Sequence, residues 1–338
     1  MLLRLHFSVE DLAKVSIART PDPLWETTLG LQQLTSVSPS SATGRTELRQ
    51  AKDLVEQRQL SGLVRLLATL VPSRGYYPDF LTPAEGSEGL AAGLDAMRAT
   101  PAQSLKREVR QLVATTPPPS ASVPWLRGLA HGDRDRMADL TDALRSMHNV
   151  LTDAGGATAE ALIEADRDRR ASALREGGVH ALLGSLAPIA RWQPPVLHVN
   201  YPVDRDIHLG GRGLRLVPSY FCQRMPITLA DPELQPVLVY PVRDDDQAVT
   251  TKNLSAPLLD LLGRTRAGVL VAVRSTSTTG EIAVRLRVSP ASASEHVHVL
   301  TAANLVRSQR AGNQVLHTLT PLGAAVLNGS LGRWLLPR

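Results

Sequence analysis

The chain has 338 residues, 43% of them hydrophobic and 20% charged, with a formal net charge of +5 and one cysteine. At roughly 100–200 residues per domain, this length predicts two or three folded domains, and the composition excludes a disordered or collagen-like chain. No apolar run reaches the ~20 residues of a bilayer crossing, and the lone Cys222 excludes an internal disulfide and a thiolate zinc cluster within one chain.

The opening MLLRLHFSVEDLAK is interrupted by Arg4, His6 and Glu10 and lacks the continuous apolar stretch of a signal peptide, so a cytoplasmic protein is expected. Within it Leu3, Leu5, Phe7 and Val9 alternate with polar residues, the pattern of a half-buried strand. Ser8 and Asp11 are placed to cap a short helix over EDLAK. VSIA reads as a second strand, and Pro23 opens an amphipathic helix through Trp25, Leu29 and Leu34. After a loop at Ser38–Gly44, apolar residues from Leu48 to Leu70 recur at helical spacing. Further helices are predicted near Ser87–Arg98, Ala102–Ala114, Asp133–Leu151 and Ala159–Arg175, with TTPPPSASVP (Thr115–Pro124) as a loop among them. Beyond Trp192 the texture changes to β-like runs, VLHVN, LRLVPSYF and PVLVYPV, and LGGRG (Leu209–Gly213) reads as a hairpin turn.

This texture predicts an α+β fold, with a mostly helical N-terminal domain carrying a small sheet. The expected domains are 1–243, divisible near 115–125, then a linker at 244–253 and a domain over 254–338. Tyr76, Tyr77, Phe80, Trp192, Tyr201 and Tyr220 are candidates to line a pocket for a small organic effector, although core packing would use scarce aromatics in the same way.

Charge is unevenly distributed. Residues 254–338 hold nine Arg, no Lys and three acids, a formal +6, whereas the preceding residues are nearly balanced. A small basic module attached to a near-neutral body points to a polyanionic partner.

The chemistry resides in Thr278–Leu319. TTGEIAVRLRV places Ile282, Ala283 and Leu286 on one helical face, and Val288-Ser289 then make a tight turn. Ser289 is a good N-cap and Pro290 suits the first helical position, so a second helix starts there. Its Ala293, Val297 and Leu300 face a core, leaving Ala291, Ser292, Ser294, Glu295 and His298 outward near its N-terminal half. Small, hydrogen-bonding residues there suit entry into a major groove. The helix stops at Asn304, and two strands around a Gly312-Asn313 tip form a hairpin carrying Arg307 and Arg310. Helix, turn, helix and basic hairpin in this order predict a C-terminal winged helix-turn-helix domain, with double-stranded DNA as the expected partner.

VSPASASEHVHVLTAANLVRSQRAGNQVLHTLT resembles the recognition helix and wing of the ArsR/SmtB family of bacterial repressors, and LLDLLGRTRAGVLVAVRS is similar to an earlier helix of that family. The N-terminal segments MLLRLHFSVEDLAKVSIA, RGYYPDFLTP and LGGRGLRLVPSYF resemble the large extra domain of some actinobacterial members. The resemblance implies a homodimer reading the halves of a near-palindrome. Metal-sensing members carry thiolates in the helix before the reading helix, where this chain has EIAVRL, or Asp and His on the last helix, where it has PLGAAVLNG. His296 and His298, two residues apart, do not share a helix face, and a groove-edge or phosphate contact suits them better than metal ligation.

The reading is a DNA-binding transcription regulator, a repressor by resemblance, that responds to an organic ligand and needs no metal or cofactor. The alternative is an enzyme in residues 1–243 with the winged helix as a docking module. No nucleophile elbow, Walker loop or H-E-x-x-H stands in the sequence to specify its chemistry.

Overall fold

The computed structural model describes residues 1–36, 45–72, 76–222, 225–242, 256–273, 277–286, 288–311 and 314–327. The fold is mixed α+β, mostly helical with small sheets, in two compact units, Met1–Arg243 and Asp244–Arg338. Among the described residues no helix is long and apolar enough to cross a membrane.

The first unit runs β1 (Leu2–His6), α1 (Val9–Ala13), β2 (Ser16–Ile17), α2 (Pro23–Thr35), α3 (Arg45–Gln57), α4 (Ser61–Ala68), α5 (Leu90–Arg98), α6 (Ala102–Thr115), α7 (Val123–Ala130) and α8 (Arg134–Ser185). It then continues through β3 (Ala190–Gln193), β4 (Val196–Asn200), β5 (Arg205–His208), β6 (Arg215–Ser219) and β7 (Val237–Pro241). The expected capping box is present at α1: Ser8 Oγ accepts from Asp11 N–H at 3.1 Å, and Asp11 accepts from Ser8 N–H at 2.8 Å. Helix α8 leaves helical angles at Gly155 and at Gly177–Gly178, so it is a chain of segments and not one rod.

Two sheets share this unit where the sequence suggested one. The first has the order β3-β4-β1-β5, the second is the all-parallel β2-β6-β7. The parallel sheet explains why LRLV and VLVY are almost continuously apolar. Val217, Val237 and Val239 face the helical core of α2–α8, while Leu216, Leu238 and Tyr240 face a second core against Leu3, Leu5 and Leu197. A parallel sheet covered on both faces has no polar side to alternate with. The four-stranded sheet is covered on one side only. Its other face carries Arg4 and His6, both hydrogen-bonded to Asp206 at 2.8 Å.

Two expectations change here. LGGRG is not a hairpin turn, because β5 pairs with β1 and β6 pairs with β2 and β7. It carries the chain from one sheet to the other, with Gly210, Gly211 and Gly213 at positive φ. The loop near 115–125 does not divide the unit, since Leu112 before it and Leu126 after it are buried in the same helical core.

That core contains a titration linked to stability. Glu26 on α2 accepts from Tyr220 N–H at 3.1 Å through Oε1, while Oε2 is buried without a partner. Burial pushes its carboxyl up to about 7. The folded chain therefore holds this proton to higher pH than the unfolded chain does, and stability falls as pH rises from the unfolded value of 4.5 toward 7. Glu26→Gln is expected to raise stability at pH 8 by on the order of 2 kcal/mol and to change it little at pH 4. Thermal melts of both proteins across that range test this; equal shifts at the two ends would contradict it.

Candidate nucleic-acid interface

The second unit contains α9 (Ala256–Leu262), α10 (Arg264–Ala272), β8 (Ser277–Thr278), α11 (Thr279–Leu286), α12 (Pro290–Ala302), β9 (Val306–Ala311), β10 (Gln314–Leu319) and α13 (Pro321–Leu327). Its strands form one sheet of order β8-β10-β9. Val269, Leu270, Ile282, Ala293, Val297, Leu300 and Val306 are buried together, so one core holds α10, α11, α12 and the hairpin. The stretch over 256–272 is two helices, because Gly263 adopts φ 74° between them.

Helix α12 starts as its sequence requires. Ser289, in extended geometry, accepts from Ser292 N–H at 3.1 Å, and Pro290 takes the first turn, where a missing N–H costs no hydrogen bond. Val288 N–H donates to Ala283 O at 3.1 Å and closes the turn from α11. The helix ends with Asn304 at φ 57°. There Asn304 N–H donates to Thr301 O at 3.0 Å and Leu305 N–H to Leu300 O at 2.9 Å, the paired bonds of a Schellman motif. Between these caps Ala293, Val297 and Leu300 are buried, and Ala291, Ser294, Glu295 and His298 are exposed. Ser289 is exposed, and Ser292 and His296 are half-buried.

The hairpin pairs β9 with β10 in the register Arg307↔Thr318 and Arg310↔Val315. Both arginines are exposed, but at a spacing of three they point to opposite faces of a strand with period two. They therefore extend in two directions and cannot neutralise charge at a single point. Asn313 lies outside the described residues.

One group the sequence reading passed over fixes the hairpin. His317 on β10 is buried, its Nδ1 2.8 Å from Ser308 Oγ on β9 and its Nε2 2.9 Å from Thr279 Oγ1 at the start of α11. Thr301 Oγ1 on α12 lies 3.4 Å from the same Ser308 oxygen. This chain of polar groups links the hairpin to both helices. Only the polar pair at alternate strand positions, Ser308 opposite His317, hinted at it in the sequence. Burial lowers the His317 pKa. The unfolded chain therefore takes up the proton first, and the histidine's contribution, complete above its unfolded pKa near 6.5, is lost as pH falls toward the folded value. Thermal melts of the second unit should lose stability between pH 7 and pH 5, and His317→Ala should flatten that dependence while lowering the melt at pH 7.

The six aromatics do not converge. Tyr76, Tyr77, Phe80 and Tyr220 belong to or pack on the helical core, whereas Trp192 and Tyr201 pack on the second one. Trp192 sits edge-on to Phe7 at 5.2 Å and donates from Nε1 to His180 Nδ1 at 3.1 Å. Scarce large side chains have been used where each core needed volume. Of the six, Phe80 lines a cleft of about 590 Å³, and Tyr76 an adjoining one of about 350 Å³ that shares Asp79, Arg107 and Glu108 with it. The buried carboxylates there brace the fold. Asp79 accepts from Ala230 and Asp231 N–H at 2.9 and 2.7 Å, and Glu108 accepts from Phe80 N–H at 2.9 Å.

In the second unit Leu258 is buried, whereas Leu261 is 74% exposed and Leu322 is exposed. Among the described residues no group of three His, Cys, Asp or Glu side chains is placed to hold a metal ion. Cys222 is buried, and burial pushes its thiol well above the ordinary range. No protein-family model, curated protein or solved structure gives a significant match to the chain.

Proposed function

We propose that the second unit is a winged helix-turn-helix of the ArsR/SmtB kind and that the protein is a sequence-specific, DNA-binding transcription regulator acting as a homodimer. The observation that carries this reading is α12, a helix buried on one face and small and polar on the other, beside a hairpin with two exposed arginines in a segment of formal charge +6. The order helix, short strand, helix, tight turn, helix, hairpin supports it as well. In this reading Ala291, Ser292, Ser294, Glu295 and His298 meet base edges, and Arg307 and Arg310 meet phosphates. Glu295 accepts from a cytosine amino group, the base-edge donor that suits a carboxylate. The first unit holds an organic effector that favours one state of the dimer over another, and represses or releases accordingly.

Selection of genomic fragments by the purified full chain, followed by footprinting and sedimentation, tests the proposal. The expected result is a dimer protecting a near-palindrome with half-site centres about one helical turn, roughly 34–36 Å, apart. A monomer that footprints one short half-site would overturn the dimer, and failure to enrich any sequence would overturn the function.

A further inference from the structure

Helices α6 and α7 form a groove whose chemistry is unlike the cleft described above. On α6, Val109 and Val113 are four residues apart, as are Lys106 and Arg110, so both pairs share one side of the helix. On α7, Val123, Leu126 and Ala130 line up in the same way with Arg127 beside them. These residues face one another across a groove of about 310 Å³, which Pro118 and His131 also line. Val113 and Val123 remain 38% and 37% exposed, so the apolar floor is open to water.

The rim supplies the identity of the occupant. Lys106, Arg110 and Arg127 line the groove, no carboxylate does, and among the described residues none of the three cations is in an ion pair. On the neighbouring surface of the same helix, by contrast, Arg107 is paired with Asp231 at 2.7 Å. An apolar trough edged by unneutralised cations is complementary to a molecule with a hydrocarbon body and an anionic head. At roughly 30 Å³ for each small group, the groove holds a chain of about ten carbons, with the anionic head among the cations at its rim.

We propose that this groove binds a free, unbranched acyl carboxylate of about ten carbons, its chain on Val109, Val113, Val123 and Leu126 and its head among the three cations. This names the effector class for the regulation proposed above and rests on that reading for its consequence. The binding itself is measured without DNA, so its failure would leave the DNA-binding proposal standing.

The probe is [1-13C]decanoate below its micelle concentration, titrated into the full chain by calorimetry and NMR, with octanoate, decanol and decyltrimethylammonium as comparators. One decanoate per chain is expected, with octanoate weaker by about fifteenfold, since each buried methylene contributes about fourfold. Decyltrimethylammonium should not bind. Val113→Glu, at an exposed helical position, should abolish decanoate binding with the melting temperature unchanged. The triple variant Lys106→Gln, Arg110→Gln, Arg127→Gln should remove the preference for decanoate over decanol. Equal affinity for decanol and decanoate, or undiminished binding by Val113→Glu, would overturn the proposal. So would loss of a dimer in Val113→Glu without any decanoate binding, which would assign the groove to contact between copies.

Discussion

Asp166→Ala is expected to cost the first unit about 3–5 kcal/mol. Asp166 is 1% exposed and accepts from Arg170 Nη2 at 2.9 Å, Arg169 Nη2 at 3.0 Å and the Tyr240 hydroxyl at 2.6 Å. Arg170 is itself buried, donates to the Ser185 carbonyl and lies 5.6 Å from the centre of the Tyr240 ring. The cluster joins α8 to β7. Truncating the carboxylate leaves a guanidinium in the interior without its counter-charge, and that, more than lost attraction, sets the size of the effect. Replacing both partners, as Asp166→Leu with Arg170→Met, should therefore be much milder than Asp166→Ala alone. Urea unfolding of the three proteins measures this; a single variant costing under about 1 kcal/mol would show that the pair is well hydrated.

Gly323→Ala is expected to destabilise the second unit by about 3 kcal/mol, at the upper end of overpacking costs. A Cβ at Gly323 would lie 2.1 Å from the Leu305 carbonyl oxygen, and backbone cannot move aside as a flexible side chain can. The surrounding bonds hold the two segments together. Thr320 N–H donates to Leu305 O at 3.1 Å, and Thr320 Oγ1 donates to Asn304 O at 2.7 Å while accepting from Gly323 N–H at 3.0 Å. Helix α13 thus braces the end of α12, and separating them should also loosen the hairpin. Hydrogen exchange at β9 and β10 amides should quicken in the variant; unchanged exchange together with an unchanged melt would contradict the account.

The parts of the fold that were legible in the sequence are those fixed by local chemistry. The Ser8–Asp11 box, the Ser289-Pro290 start, the Asn304 stop and the buried stripe Ala293, Val297, Leu300 all depend on residues a few positions apart. Strand pairing between distant segments was not legible. Nothing local tells LRLV that it will lie between two others in parallel, and β5, RDIH, has too weak an alternation to show as a strand. For the same reason the six aromatics looked like one group in the sequence and occupy two cores in space. The polar chain from Thr279 through His317 and Ser308 to Thr301 spans two helices and two strands, so only the folded register assembles it.

In the proposed complex α12 reads bases while the hairpin holds phosphates. The most direct measurement is the affinity of the full chain for its selected duplex and for a scrambled duplex of equal length, across a salt series, in Ser292→Ala, Glu295→Ala, Arg307→Ala and Arg310→Ala. The helix variants should alter preference at one base pair by about 1–3 kcal/mol and leave binding to the scrambled duplex unchanged. Each hairpin variant should weaken binding to both duplexes and reduce the slope of log affinity against log salt by about one. Equal losses on both duplexes for Ser292→Ala and Glu295→Ala would contradict the assignment of α12 to the groove.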